Sequence, residues 1–310
     1  MPSAATRRYY STASTRFMAV GIVINPISGA TGRRPGEAAR RRARAAEWAA
    51  RAGVEVEVVL TDARGHGASL AREFVGRGWD VVAWGGDGTV NEVAGALIGT
   101  SSALGVVPSG SGDGLARSIG LPLETDEALQ SALSGSAGAI DVGYLGDRHF
   151  LNIAGIGFDA AVGVRFNREG TRGVLGYARH GLTLVWSYAP ERYRLTFDGR
   201  IVTGEKFLIG FANGREYGNH LVLAPDADAQ DGWLDVVVVD GGSPLRELWR
   251  ARRLGFRSRQ PAEGVHRTRV RIASVSGERL VCHVDGETFE TSGELQVRIE
   301  PGALRVRGLR

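Results

Sequence analysis

The sequence predicts two units in one chain: an α/β domain built on a doubly wound, largely parallel sheet, then a domain of antiparallel β-strands. Three observations carry this. From Met18 to about Ala139, apolar strand-like runs alternate with helix-like segments, the pattern of a parallel sheet with helices on both faces. After Ile140 the helical segments thin out, and strand-like runs follow one another through Gly, Asn and Asp turns. The chain has 310 residues, 43% hydrophobic and 23% charged, which suits a soluble globular protein with two cores. The expected division is a disordered tail over 1–17, a first domain over 18–140 and a second over 141–310, whose last strands are free to return to the first.

The tail, MPSAATRRYYSTASTRF, has no acidic residue and no apolar core of the kind a secretory signal needs. It shares its Arg, Ser and Thr content with organelle transit peptides, but disorder is the reading adopted. MAVGIVINP is an apolar strand running into an Asn-Pro turn. Residues 35–53 are Ala- and Arg-rich and close on Gly53, so they read as a helix. VEVEVVL is a strand, HGASLAREFVGRG a helix ending in Gly, WDVVAW a strand and NEVAGALIG a helix. ALGVVPSG is a strand leading into a turn, and DEALQSAL a short helix. In the second unit DVGYLGDRHFLNIAGIGF, RYRLTFDG, KFLIGFAN, WLDVVVVD, RVRIAS, ERLVCHVDGETF and ELQVRIEP read as strands. Two helical inserts interrupt them, at 173–189 and 244–256.

The formal net charge is +4 and the isoelectric point about 9.5. That excess is too small to argue nucleic-acid binding. Lys206 is the one lysine, so the basic residues are almost all Arg; phosphate contacts or a coding bias would both produce this, and the bias is preferred. One cysteine, Cys282, excludes a disulfide framework and a Cys-based zinc site, and fits a reducing cytoplasm. No apolar run approaches a membrane span. The six histidines show no metal-binding spacing.

In a parallel sheet the loops after the strands gather at one edge, where ligands bind. Three such loops are rich in glycine: NPISGATGRR (25–34), GGDGTVNE (85–92) and PSGSGDGLAR (108–117). Glycines let backbone N–H groups approach an anion, and helix N-termini favour negative charge. Thr89, Asn91 and Ser111 add neutral donors. Together they point to a nucleotide's phosphates. No lysine follows the glycines, so no Walker A motif is present. An aspartate among phosphates, Asp87, calls for a magnesium ion between them or for a base facing the phosphate acceptor.

With these residues in view, the chain resembles the diacylglycerol kinase catalytic-domain family, which includes bacterial diacylglycerol kinases and sphingosine and ceramide kinases. Asn25-Pro26 with Ser28-Gly29 is similar to its first nucleotide motif, GGDGTVNEV to its signature and GVVPSGSGDGLARSIGLP to its third block. FLNIAGIGFDAAV, DGWLDVVVV and HVDGE resemble motifs of its second domain, and the order matches from Met18 onward. The resemblance implies an N-terminal nucleotide-binding domain, a C-terminal β-sandwich and an active site in the cleft between. It implies ATP contacts at Asn25, Pro26, Ser28, Gly29, Thr61, Gly85, Gly86, Asp87, Gly88, Thr89, Val90, Asn91, Ser111 and Gly112. Glu287, in the turn Asp285-Gly286-Glu287, matches the family's proposed general base, Asp87 is its rival, and Asp285 joins them as a catalytic candidate. A magnesium site beside the sandwich would use Asp231 and backbone carbonyls near Asp228 and Trp233. One position departs: bacterial members often carry Asn-Asp where this chain has Asp113-Gly114. That departure leaves the acceptor lipid open.

The function expected is therefore transfer of the γ-phosphate of ATP, with magnesium, to a hydroxyl of a diacylglycerol- or sphingosine-like lipid. The protein is expected in the cytoplasm, meeting its lipid at the membrane surface without spanning it; a homodimer is compatible with this. The insert at 173–189 either lines an acyl tunnel or packs on the sandwich. The basic stretch at 245–259 either binds anionic headgroups or is a solvated helix, and the second is preferred. Two other readings stay in play: a soluble kinase of the NAD kinase type, which shares GGDGT, and a nucleotide-binding regulator without catalysis.

Overall fold

The strand Ala19–Ile24 (β1) is apolar on both faces, with Val20, Ile22, Val23 and Ile24 fully buried, so it belongs inside a sheet covered on both sides. A computed structural model describes residues 19–29, 31, 32, 34–169, 183–217, 221–243, 246 and 263–309. In it β1 is flanked in parallel by Glu55–Leu60 (β2) on one side and Asp80–Gly85 (β3) on the other, and Ala103–Pro108 (β4) continues beyond β3. The chain thus leaves β1 in one direction and returns past it in the other. The switch point falls between β1 and β3, where a crevice opens at the carboxyl ends of the strands.

Helices cover both faces. Glu37–Ala52 (α1) buries Arg41, Ala45 and Ala49 at a four-residue spacing and ends on Gly53 at φ 64°. It shares one face with Thr125–Ser134 (α5), whose first N–H groups are capped by the Glu124 carboxylate. His66–Gly76 (α2) and Asp87–Leu97 (α3) cover the other face. The sequence places the start of α3 at Asn91; the structure winds it four residues earlier. An acidic residue in a first turn suits the positive end of the helix dipole, and this outweighs the poor helix propensity of Gly88. Gly114–Ser118 (α4) is a short helix inside the third glycine-rich loop.

The second unit is a β-sandwich. Its strands are Ala137–Leu145 (β5), Arg148–Phe150 (β6), Ile153–Gly157 (β7), Glu191–Phe197 (β8), Arg200–Ala212 (β9), Leu234–Asp240 (β10), Val265–Val270 (β11), Ile272–Val284 (β12) and Glu287–Arg307 (β13). Both β9 and β12 pair with β7 along one part of their length and with β8 along another. The sheet is thereby folded over a core that includes Phe150, Ile156, Leu195, Phe211, Val275 and Cys282. A helix the sequence reading did not anticipate, Phe158–Glu169 (α6), follows β7.

One strand belongs to both units. The first part of β13 pairs with β12, and its last residues run parallel to β4, with Arg305 opposite Ala103 and Val306 opposite Leu104. On its other side it holds β5 over residues 297–307. The two sheets are therefore one continuous ladder of 13 strands. Of the two expected helical inserts, residues 173–182 lie outside the described residues, and Val185 packs into a core cluster with Ile153 and Phe207. The second insert and the basic stretch at 245–259 lie outside them too, apart from Arg246, as does the tail.

Candidate active site

All three glycine-rich loops leave the carboxyl ends of parallel strands, two of them at the switch point. The Asn25 N–H donates to Trp84 O at 2.9 Å, and its amide nitrogen donates to Thr89 Oγ1 at 3.0 Å, so the first loop is tied to the second. Ser28 Oγ meets Ser109 Oγ at 2.8 Å, which ties the first loop to the third. Buried Arg41 braces this corner from α1. Its guanidinium donates to Asn25 O at 3.0 Å, Ser28 Oγ at 2.9 Å and Ser28 O at 2.9 Å. Thr61 follows β2 and donates its N–H to Ile24 O at 2.9 Å. Close approach explains Gly86: a Cβ there would stand 3.2 Å from Gly110 Cα. Pro26 and Gly29 complete the first loop, while Gly88 and Ser111 are exposed at the rims of the second and third.

Val90 is placed differently from the other expected nucleotide contacts. It is buried in the core with Val23, Ala83 and Val106, and its N–H donates to Gly86 O at 3.1 Å inside the helix. Starting α3 at Asp87 turns this position inward, so Val90 supports the loop from below.

Asp87 opens α3 and accepts the N–H groups of Gly114 and Leu115 at the start of α4. Its carboxyl is nonetheless pushed up to about 7, by burial first and then by the neighbouring carboxylates of Asp113 and Asp285. Asp113 is raised too, again chiefly by burial, and its Oδ1 accepts the Gly110 N–H at 2.8 Å. The departure at 113–114 has a steric reason here. A Cβ on Gly114 would lie 2.7 Å from Asn152 Nδ2 and 2.8 Å from the Tyr217 carbonyl oxygen. The acid stands one residue earlier, at φ 49°, and still meets Asp87.

The turn between β12 and β13 reaches the same crevice from the sandwich. Asp285 and Gly286 both have positive φ, 46° and 87°, which is the two-residue hairpin turn that Asp-Gly favours. The Asp285 carboxylate accepts four donors: Asn91 Nδ2 at 2.8 Å and the N–H groups of Leu151, Asn152 and Ile153 at 2.7, 3.0 and 3.0 Å. It thereby fastens the sandwich to α3, and its oxygens are already engaged. Glu287, the next residue but one, points its carboxylate at Arg64 on the loop after β2, at 2.5 Å. That pair is mostly exposed and easily exchanged for other partners.

Two magnesium positions were expected from the sequence. At the first, the carboxylates of Asp87 and Asp113 act on each other electrostatically beside the second and third glycine-rich loops; Mg²⁺ commonly takes one or two carboxylates and completes its shell with phosphate oxygens and water, so these residues fit it. At the second, Asp231 Oδ1 accepts the Trp233 N–H at 3.0 Å and Oδ2 pairs with Arg269 at 2.7 Å. Asp228 Oδ1 accepts the Gln230 N–H at 3.1 Å. A cation at Asp231 would have to displace the half-exposed Arg269 guanidinium, and at neither position does a group of three or more His, Cys, Asp or Glu able to hold a metal occur among the described residues.

Comparison with known proteins agrees with this architecture. The family described as Diacylglycerol kinase catalytic domain matches residues 19–145, and the YegS C-terminal NAD kinase beta sandwich-like domain matches residues 152–308. The chain belongs to the YegS-like lipid kinase family. A relative in Citrobacter koseri, "Probable lipid kinase YegS-like", is 32% identical over 267 residues, 82% of this chain and 87% of that one. One of the same name in Chromohalobacter salexigens is 38% identical over 205 residues, 64% of this chain and 66% of the relative. A crystal structure of a diacylglycerol kinase from Bacillus anthracis str. Sterne shares the fold, with a TM-score of 0.72 at 20% identity, covering 94% of this chain and 97% of that one.

Several residues at the site were not singled out from the sequence. Arg41 and Arg64 lie among many arginines. Asn152, Asp159, Tyr217 and His283 find their partners far along the chain. Asn152 and Asp159, inside the FLNIAGIGFDAAV motif, and His283, which opens HVDGE, carried a signal that could have led to them; Tyr217 did not.

Proposed function

We propose that this protein is an ATP- and magnesium-dependent lipid kinase that transfers the γ-phosphate to a hydroxyl of a diacylglycerol- or sphingosine-like lipid. The observation that carries the reading is the meeting of three glycine-rich loops and Asp87 with the Asp285–Gly286–Glu287 turn, joined by the 2.8 Å bond from Asn91 to Asp285. Phosphoryl transfer demands mainly positioning and charge neutralisation. The loops at Asn25–Gly29, Gly85–Thr89 and Ser111–Gly112 would hold the ATP phosphates against backbone N–H groups and hydroxyls. Asp87, with Asp113 beside it, would hold the magnesium ion, which supplies positive charge to the phosphate oxygens when bound. The lipid oxygen attacks the γ-phosphorus as the bond to the ADP oxygen breaks, and Glu287 accepts the hydroxyl proton. Asp285, with its oxygens engaged, orients the turn. Arg64, released from Glu287, would be free to meet phosphate charge.

No helix among the described residues is long and apolar enough to cross a membrane. We therefore take the enzyme to work from the cytoplasm and meet its lipid at the bilayer surface.

The test is transfer of labelled γ-phosphate to diacylglycerol, monoacylglycerol, sphingosine, ceramide, phosphatidylglycerol and NAD in detergent micelles. One lipid is expected to be labelled, and Glu287→Gln to slow that transfer about 100- to 10,000-fold. Asp87→Ala should abolish it and weaken its dependence on magnesium. Labelling of NAD alone would replace the lipid reading with the NAD kinase one; ATP binding without any transfer would favour a nucleotide-binding regulator.

A further inference from the structure

Behind the Asp285–Gly286 turn lies a buried polar cluster that the mechanism above does not use. His283, the next-to-last residue of β12, is 4% exposed, and Asp159, in the first turn of α6, is 8% exposed. The Gly286 N–H donates to His283 Nδ1 at 3.4 Å, so the ring proton sits on Nε2, which donates to Asp159 Oδ2 at 2.8 Å. Tyr217 donates its hydroxyl to the same oxygen at 2.8 Å. The backbone beneath is shaped for this pair. A Cβ on Gly155 of β7 would stand 1.9 Å from Asp159 Oδ2 and 2.6 Å from His283 Nε2.

The cluster reaches the nucleotide side as well. The Tyr217 carbonyl oxygen is the atom that a Cβ on Gly114 would meet at 2.8 Å, and one on Gly112 would lie 3.7 Å from it. Contacts therefore run from Gly286, through His283, Asp159 and Tyr217, to the third glycine-rich loop. Burying a carboxylate is costly unless donors hold it, and such a network gives each member one orientation.

We propose that Asp159, Tyr217 and His283 are positioning residues for Glu287: together they fix its turn against the third glycine-rich loop, so that the base and the phosphate cradle keep one geometry. This rests on the lipid-kinase reading, in which Glu287 takes the proton. Misplacement by about 1 Å costs on the order of 100-fold in rate without loss of binding, so the effect belongs in kcat.

The test compares wild type with Tyr217→Phe, His283→Leu and His283→Asn, on whichever lipid the wild type phosphorylates. It measures kcat, the KM for ATP and hydrogen exchange of the peptide spanning 283–289. Tyr217→Phe and His283→Leu should lower kcat at least about tenfold, leave KM for ATP within about twofold and speed exchange of the turn. His283→Asn should restore slow exchange of the turn, because its amide takes the place of Nδ1 and can accept from Gly286, while kcat recovers only in part, because the shorter side chain stops short of Asp159. Unchanged kcat and exchange in folded Tyr217→Phe and His283→Leu would overturn the proposal, as would a raised KM at constant kcat. A wild type that phosphorylates no lipid would overturn the functional reading instead, and exchange in the same variants would still decide whether the cluster holds the turn.

Discussion

Gly114 shows how a single missing side chain sets the chemistry around it. With no Cβ at 114, Asn152 and the Tyr217 carbonyl close onto the loop, and the two N–H groups of Gly114 and Leu115 turn toward Asp87. The acid that relatives of the bacterial type often carry at this position is supplied from 113. Gly114→Asp is therefore expected to harm rather than help. Overpacking should cost about 1–3 kcal/mol, read as a lower midpoint in urea, and transfer should fall with it. The double change Asp113→Asn with Gly114→Asp, which restores the common motif, should recover neither. Equal or better stability in either variant would show that the packing around 114 yields. The sequence displayed the departure but not its cause, because Asn152 and Tyr217 come from distant parts of the chain.

Among the elements, α1 has a role that its sequence conceals. An Ala- and Arg-rich segment reads as an ordinary amphipathic helix, and three residues at four-residue spacing do face inward. One of those inward residues is Arg41, which spends its guanidinium on the first loop through Asn25 and Ser28 and keeps Glu37 at 3.3 Å. Arg41→Ala should remove hydrogen bonds to four acceptors, Asn25 O, Ser28 Oγ, Ser28 O and the Glu37 carboxylate, and lower stability by about 2–4 kcal/mol. ATP affinity should fall further than the affinity of a matched control such as the exposed Arg40→Ala, measured by titration calorimetry on folded protein. Similar affinities in the two would separate the helix from the site. The alternation of strand and helix made the sheet legible in advance, since apolar period and glycine stops are local signals. The glycine-rich loops were legible for the same reason. The start of α3, the turn of Val90 into the core and the identity of α6 were not, because each depends on what packs against the segment.

At the scale of the molecule, the two units are not separable modules, although the composition shift near Ile140 suggests a division. That shift falls inside β5, and β13 lies between β5 and β4. Leu304 and Val306, both fully buried, sit in the same core cluster as Leu104, Ile140 and Val142. A fragment ending at residue 145 should therefore lack a cooperative unfolding transition and aggregate, whereas co-expression with residues 146–310 should recover soluble, ATP-binding protein. A well-folded fragment would show that β4 tolerates an open edge.

The pairing of Arg305 with Ala103 joins residues 202 positions apart in the chain. While the protein is being synthesised, β4 is paired with β3 but keeps its other edge open until residues 305 and 306 have been made. Loop closure over so long a stretch is slow, and an exposed strand edge invites association with other chains. The seam that holds the first unit to the sandwich is thus completed only after both units have been made. A chain that stops before residue 305 lacks the pairing that closes β4 and joins the two units.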